Sequence, residues 1–227
     1  MFTLSGKQSY IIPSNKSGSL TNVSNYRGIA KLSAIPKLFE KLITAVISQK
    51  IQSILSPYQH GFRSGLSTTT NLIQFTSTVI KGFVQRKQTD TIYTDFSKAF
   101  DRVNHELLIY KLNYMGFNTN LVKWISSYLQ DRSQLVLFEG YLSKTINVPS
   151  GVPQGSHLGP VLFLLFINDL PNSINYSKLL MYADDVKLFI SHNCDKRASL
   201  LQNDLDSLFK WCRLNCMNLN LSKCRHM

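Results

Sequence analysis

The chain has 227 residues, 44% of them hydrophobic, which is enough to bury a substantial core in one large domain or two small ones. Twenty-five Lys and Arg against 13 Asp and Glu give a net charge of +12, and the pI is near 9.6, an electrostatic footprint that suits a nucleic-acid partner. The longest apolar run, Val161 to Ile167, is far short of the ~20 residues a membrane helix needs, and Met1-Phe2-Thr3-Leu4 leads into polar sequence rather than a signal-peptide core.

Taken in order, the segment up to about Gly28 is rich in Ser and Asn and reads as irregular loop. From Pro36, apolar positions at Leu38, Phe39, Leu42, Ile43, Val46, Ile47, Ile51 and Ile54 trace one face of a long helix that Pro57 ends. Ser67 caps a second helix with the face Leu72, Ile73, Phe75, Val79, Ile80, Phe83, and Thr89 to Thr94 switches to a strand. Asn104 caps a helix closed by Gly116, and Leu121 to Leu129 forms another. Ser133 to Phe138 and Tyr141 to Val148, split by Glu139-Gly140, predict a hairpin. A buried helix follows over about His157 to Asp169, then two strands around Tyr182-Ala183-Asp184-Asp185, an amphipathic helix from Asp195 to about Arg213, and a strand over Leu219 to Cys224. Helices on a small antiparallel sheet with acids at its edge describe an α+β palm.

The four cysteines, at 194, 212, 216 and 224, fit reduced thiols of an intracellular protein; Cys212, Cys216, Cys224 and His226 match no standard zinc spacing. The acids are more informative. Asp184 and Asp185 lie between apolar runs that read as buried strands, so the adjacent carboxylates would repel unless a cation offsets them. Adjacent aspartates also form ordinary turns, but Asp95, from a separate strand, adds a third acid, the minimum for holding a pair of divalent cations at a phosphoryl-transfer site.

Thr94-Asp95-Phe96-Ser97-Lys98-Ala99-Phe100-Asp101, Ser150-Gly151-Val152-Pro153-Gln154-Gly155-Ser156 and Tyr182-Ala183-Asp184-Asp185, in that order, closely resemble the reverse transcriptases of non-LTR retrotransposons, the jockey-like and LINE-like group. Asn25 to Ile29, Gln59 to Arg63 and Leu219 to Lys223 resemble that family's flanking blocks, so the resemblance covers nearly the whole chain. It implies a right-hand polymerase with partial fingers over residues 1–88 and a palm over 89–227 that carries a fingers-like insertion at about 103–149. The implied activity is RNA-directed DNA synthesis from deoxynucleoside triphosphates on an RNA template with a DNA primer. Mg²⁺ would serve, with Mn²⁺ as substitute, and no stable protein partner is implied.

Hard cations take carboxylate and carbonyl oxygen, so Asp95, the Phe96 carbonyl and Asp184 are the expected ligands, with Asp185 at the primer-side metal or behind it. Helix capping is the alternative for Asp95. The resemblance makes Phe100 an aromatic plate that excludes a ribose 2′ hydroxyl, against an ordinary core ring. It also sets Gln154 and Gly155 against the incoming nucleotide and template base, where a plain loop would use Gly and Pro as well. Arg27, Lys37 and Arg63 are candidates for the triphosphate, against solvated surface charge, and the resemblance implies that Lys223 lies near the departing pyrophosphate as a general acid. Asp101 is open between structure, through a basic neighbour such as Arg102, and chemistry. No thumb, endonuclease or ribonuclease H segment is expected in these residues. A catalytically silent remnant that binds nucleic acid is the alternative to an active polymerase.

Overall fold

A computed structural model describes residues 7–193 and 195–227; the opening Met1 to Leu4 and Cys194 lie outside the described residues. The chain forms two compact units, residues 1–51 with 100–165, and residues 52–99 with 166–227.

In the first unit, β1 (Gln8–Asn15) pairs antiparallel with β2 (Tyr26–Lys31) and parallel with β4 (Ser133–Phe138). The opening segment is therefore strand rather than the irregular loop expected from its composition. Within β1 Ser14 is exposed and Ser9 buried, while Ser17, Ser19, Asn22, Ser24 and Asn25 lie in the loop between the strands, where Asn22 caps a 3-10 turn at Val23–Asn25. The predicted hairpin after β4 is broken into two short pairings, β5 (Tyr141–Leu142) and β6 (Ile146–Asn147).

Helices α1 (Ala34–Ile54), α3 (His105–Tyr114), α4 (Thr119–Leu129) and α5 (Leu158–Phe166) follow the expected segments, and α3 begins at the Asn104 side-chain cap. Leu108, Leu112, Ile125, Tyr128, Leu162 and Phe163 have no exposed surface, and burying such side chains stabilises by roughly 1.5–3 kcal/mol each. Glu40 is buried among them and satisfied twice, by the Tyr128 hydroxyl (2.6 Å) and the His157 amide (2.8 Å). That bond selects which face of α1 turns inward: Ile47 and Ile51 are buried, while Leu38, Phe39, Leu42 and Val46 of the predicted face are exposed.

The second unit is a four-stranded antiparallel sheet in the order β7 (Lys178–Tyr182), β8 (Asp185–His192), β3 (Gln88–Asp95), β9 (Arg225–His226). Helix α2 (Thr68–Val84) starts at a capping box between Ser67 and Thr70. Its packing corrects the hydrophobic pattern, since Leu72, Ile73, Ile80 and Phe83 are exposed and the buried positions are Asn71 and Gly82. Asn71 donates to the Met181 carbonyl (3.1 Å), and a Cβ on Gly82 would sit 2.9 Å from the Thr89 hydroxyl. The helix approaches the sheet too closely there for branched side chains.

Helix α6 (Asp195–Leu214) is anchored by Asp204, which is fully buried and accepts the amides of Asn175, Tyr176 and Ser177. The strand expected at Leu219 to Cys224 is a turn, because Lys223 and Cys224 both donate their amides to the Asn220 carbonyl and curl the chain. Apart from the single bridge of Leu219 to Phe96, strand pairing of this segment comes at β9. No helix among the described residues is long and apolar enough to cross a membrane.

Candidate active site

Asp95 ends β3 and Asp185 begins β8, and the two are register partners across the antiparallel pair. Asp184 belongs to the turn joining β7 to β8, where Ala183 has φ +54, a left-handed conformation that costs a side-chain-bearing residue energy unless neighbours enforce it. The enforcement comes from the Gln59-His60-Gly61 block. The Gln59 side chain accepts the amides of Ala183 (2.9 Å) and Gly61 (2.7 Å) and donates to the Ala183 carbonyl (3.2 Å). His60 donates its amide to the Met181 carbonyl, Met181 donates to Tyr58, and a Cβ on Gly61 would lie 2.3 Å from the Ala183 nitrogen. Only glycine fits against the turn.

Lys223, from the turn before β9, donates to Asp95 Oδ2 at 2.6 Å. That bond raises the Lys223 ammonium above its usual range, with Asp184 and Asp185 adding to the effect and partial desolvation opposing it. The Asp185 carboxyl is raised first by desolvation and then by the charges of Asp184 and Asp95; Lys223 and Lys187 oppose this. Lys187 extends over the rings of Phe75 (4.1 Å) and Tyr93 (5.1 Å), and desolvation lowers its affinity for a proton. Asp95, Asp185, Lys187, Lys223, Thr68 and Asn71 line one cavity of about 560 Å³.

Among the described residues, no three His, Cys, Asp or Glu side chains gather closely enough to hold a metal ion. The donor set nonetheless fits a divalent cation. Three carboxylates come from two paired strands and their turn, their mutual repulsion is expressed at Asp185, and an ammonium occupies the place of a cation against Asp95. Phe96 is buried against Trp211; the bonds flanking its bridge to Leu219 run from Ser97 to Asn218 and from Asn220 to Asp95, so the Phe96 carbonyl takes no part in that bridge.

The remaining candidates divide between the units. In the first unit the loop before α5 is clipped to the 3-10 turn Ala99–Arg102: Val152 donates to the Phe100 carbonyl (2.8 Å), Ser150 to the Asp101 carbonyl (2.9 Å) and the Gln154 amide to Asp101 Oδ1 (3.2 Å). The Gln154 carbonyl accepts from Ala30, so this residue is fixed at both backbone and side chain. Asp101 therefore holds the Gln154 amide. A Cβ on Gly155 would meet the Ala30 oxygen at 2.9 Å, and φ there is +104. Phe100 stacks on Phe163 with centroids 4.6 Å apart.

Arg27 is exposed on β2 and Lys37 half-buried in the first turn of α1. Arg63, in the second unit, spends its guanidinium on the carbonyls of Ser56, Gln59 and Gln52 and on the Gln52 side chain. Four of its five donor directions are taken, so it caps the end of α1 rather than offering a fork to a triphosphate. Of the zinc-pattern residues, Cys212 is buried, its thiol pushed up to about 12 chiefly by burial, while Cys216 is exposed and Cys224 half-buried.

Residues 13–227 match the family model described as Reverse transcriptase (RNA-dependent DNA polymerase). The chain belongs to this family. It is 34% identical over 209 residues to the Drosophila melanogaster protein named "Probable RNA-directed DNA polymerase from transposon BS", covering 88% of this chain and 23% of that protein. It is 28% identical to the RNA-directed DNA polymerase from mobile element jockey of the same organism, covering 100% of this chain and 26% of that one. The chain thus spans about a quarter of the length of these relatives. The apo telomerase of Candida tropicalis shares the fold, with a TM-score of 0.69 over 97% of this chain and 44% of that one at 13% identity.

Within this reverse transcriptase domain, the residues that the sequence pattern missed are Gln59, Lys187 and Asn71. Gln59 stood inside a recognised block, which was a usable signal. Lys187 and Asn71 had none, because an alternating strand and a polar helix position look the same wherever they face.

Proposed function

We propose that the chain is the catalytic part of an RNA-directed DNA polymerase, transferring deoxynucleotides to a primer 3′ hydroxyl on an RNA template. The observation that carries this reading is the register pairing of Asp95 with Asp185 beside Asp184, with Asp185's proton affinity raised by desolvation and by its neighbours' charge. Asp95, Asp184 and Asp185, with the Phe96 carbonyl, would hold Mg²⁺ or its substitute Mn²⁺. Bound there, a divalent pair would supply charge for the attacking and leaving oxygens. Gln59 keeps the turn rigid, so the carboxylates are set before substrate arrives. Lys223 neutralises Asp95 and, with its proton held more tightly than usual, acts as counter-ion rather than proton donor in this state.

Gln154, held by Asp101, and Gly155 offer a fixed amide and a close backbone to a nucleotide and template base. Phe100 would lie beside the sugar, and Arg27 and Lys37 would offer charge to the triphosphate. In this reading residues 1–88 serve as fingers and 89–227 as palm.

The test is extension of oligo(dT) on poly(rA) with thymidine triphosphate and Mg²⁺, comparing the chain with Asp184→Asn. Extension that disappears in the variant supports the assignment. Absence of extension by both proteins, with duplex binding intact, overturns it for this chain and favours a nucleic-acid-binding domain.

A further inference from the structure

His105 opens α3 directly after its Asn104 cap and reaches back to the loop that carries Gln154, with its Nε2 2.8 Å from the Gly151 carbonyl oxygen. Gly151 is buried, and its backbone is tied on both sides. The Gly151 amide donates to the Val103 carbonyl (2.8 Å), just beyond the 3-10 turn Ala99–Arg102, while its carbonyl meets the first residue of the helix that follows. At Gly151 φ is +90, and a Cβ there would sit 2.8 Å from the Cα and the oxygen of Asp101. The loop backbone therefore rests on the residue that holds the Gln154 side chain.

A carbonyl oxygen can only accept, so this bond fixes the imidazole tautomer with its proton on Nε2. Burial lowers the proton affinity of the ring; the bond to Gly151 opposes that effect and the Arg132 charge adds to it, so the ring stays neutral at neutral pH. Without the imidazole a buried carbonyl would lose this donor, and the cost would fall on the loop that bears it.

We propose that His105 is a positioning residue for nucleotide binding: through the Gly151 carbonyl it holds residues 150–155 against the Asp101 turn, so that Gln154 and Gly155 keep one conformation before substrate arrives. This rests on the polymerase reading of that loop given above. All of these residues belong to the first unit. A loop set in advance spares the nucleotide the cost of ordering it, which is felt in binding rather than in the chemical step.

The test begins with the unaltered chain. Long-range ¹H–¹⁵N spectra report which imidazole nitrogen carries the proton, and the His105 signals, one set among five histidines, are those missing from His105→Gln. A proton on Nε2 is expected, and a neutral ring protonated on Nδ1 overturns the anchor. His105→Leu removes the donor, whereas His105→Gln keeps an N–H at a similar reach. Amide exchange at Gly151 and Val152 should quicken at least about fivefold in His105→Leu, the loss of one hydrogen bond, and keep the parent rate in His105→Gln. In primer extension the KM for thymidine triphosphate should rise by about the same factor in the leucine variant with kcat nearly unchanged, and glutamine should restore it. Unchanged exchange or unchanged KM in His105→Leu, or a glutamine variant as impaired as the leucine one, overturns the proposal. A parent chain that extends no primer counts against the polymerase reading alone; the anchor is then decided by the imidazole proton and the exchange rates, which need no activity. The imidazole proton also decides it where His105→Leu does not fold.

Discussion

Gln59 is separated from Ala183 by 124 residues, yet its one side chain satisfies both polar groups of a left-handed residue next to Asp184. Gln59→Leu keeps the bulk and leaves the Ala183 and Gly61 amides buried without acceptors, so it should destabilise the second unit by about 2–4 kcal/mol. Urea unfolding of the variant against the parent measures this; a change below about 0.5 kcal/mol would mean that water replaces the amide. The carboxylates themselves were legible in the sequence because acids between apolar runs are anomalous. Gln59 and Lys223 stood inside recognised blocks, but nothing local showed that Gln59 would bond Ala183 across 124 residues or Lys223 would bond Asp95 across 128.

At the level of elements, β3 and β8 are joined at the end remote from the carboxylates by a second acid. Asp90 accepts from His192 Nε2 at 2.6 Å, with His192 buried. Burial raises the Asp90 carboxyl, but bonds from His192 and Gln88 outweigh it and hold the group below its ordinary value. A depressed carboxyl stabilises fully above its unfolded pKa, near ~3.9, and loses that contribution as pH falls through the lower folded value. Asp90→Asn should therefore lower the melting temperature at neutral pH and flatten its decline below about pH 4. Melting curves across that range check the sign.

The element boundaries of α2, α3, α4 and β3 were legible from caps and periodicity, whereas the inward faces of α1 and α2 were not. Glu40 and Asn71, polar residues that a hydrophobic pattern assigns to solvent, decide those faces by finding buried partners. The strandedness of residues 8–15 was hidden because Pro13, Ser14 and Asn15 disfavour a strand locally, while β1 is held between β2 and the β4 strand far along the chain.

On the scale of the whole molecule, a net charge of +12 makes binding to nucleic acid a counter-ion exchange. If about six phosphates are contacted, affinity should fall about a thousandfold between ~50 and ~200 mM salt, which fluorescence anisotropy on a labelled duplex would record. A flat response would mean that the charge is scattered rather than gathered on one surface. The segment from Asn218 onward has a different kind of consequence. It exchanges backbone bonds with Asp95, Ser97 and Thr91 and sets Lys223 on the first carboxylate. During synthesis, one edge of β3 must wait for residues made more than 120 positions later, so the acidic centre is completed late in folding. Until then that strand edge is open to wrong partners, and slow translation or early release would be felt as aggregation before it was felt as lost chemistry.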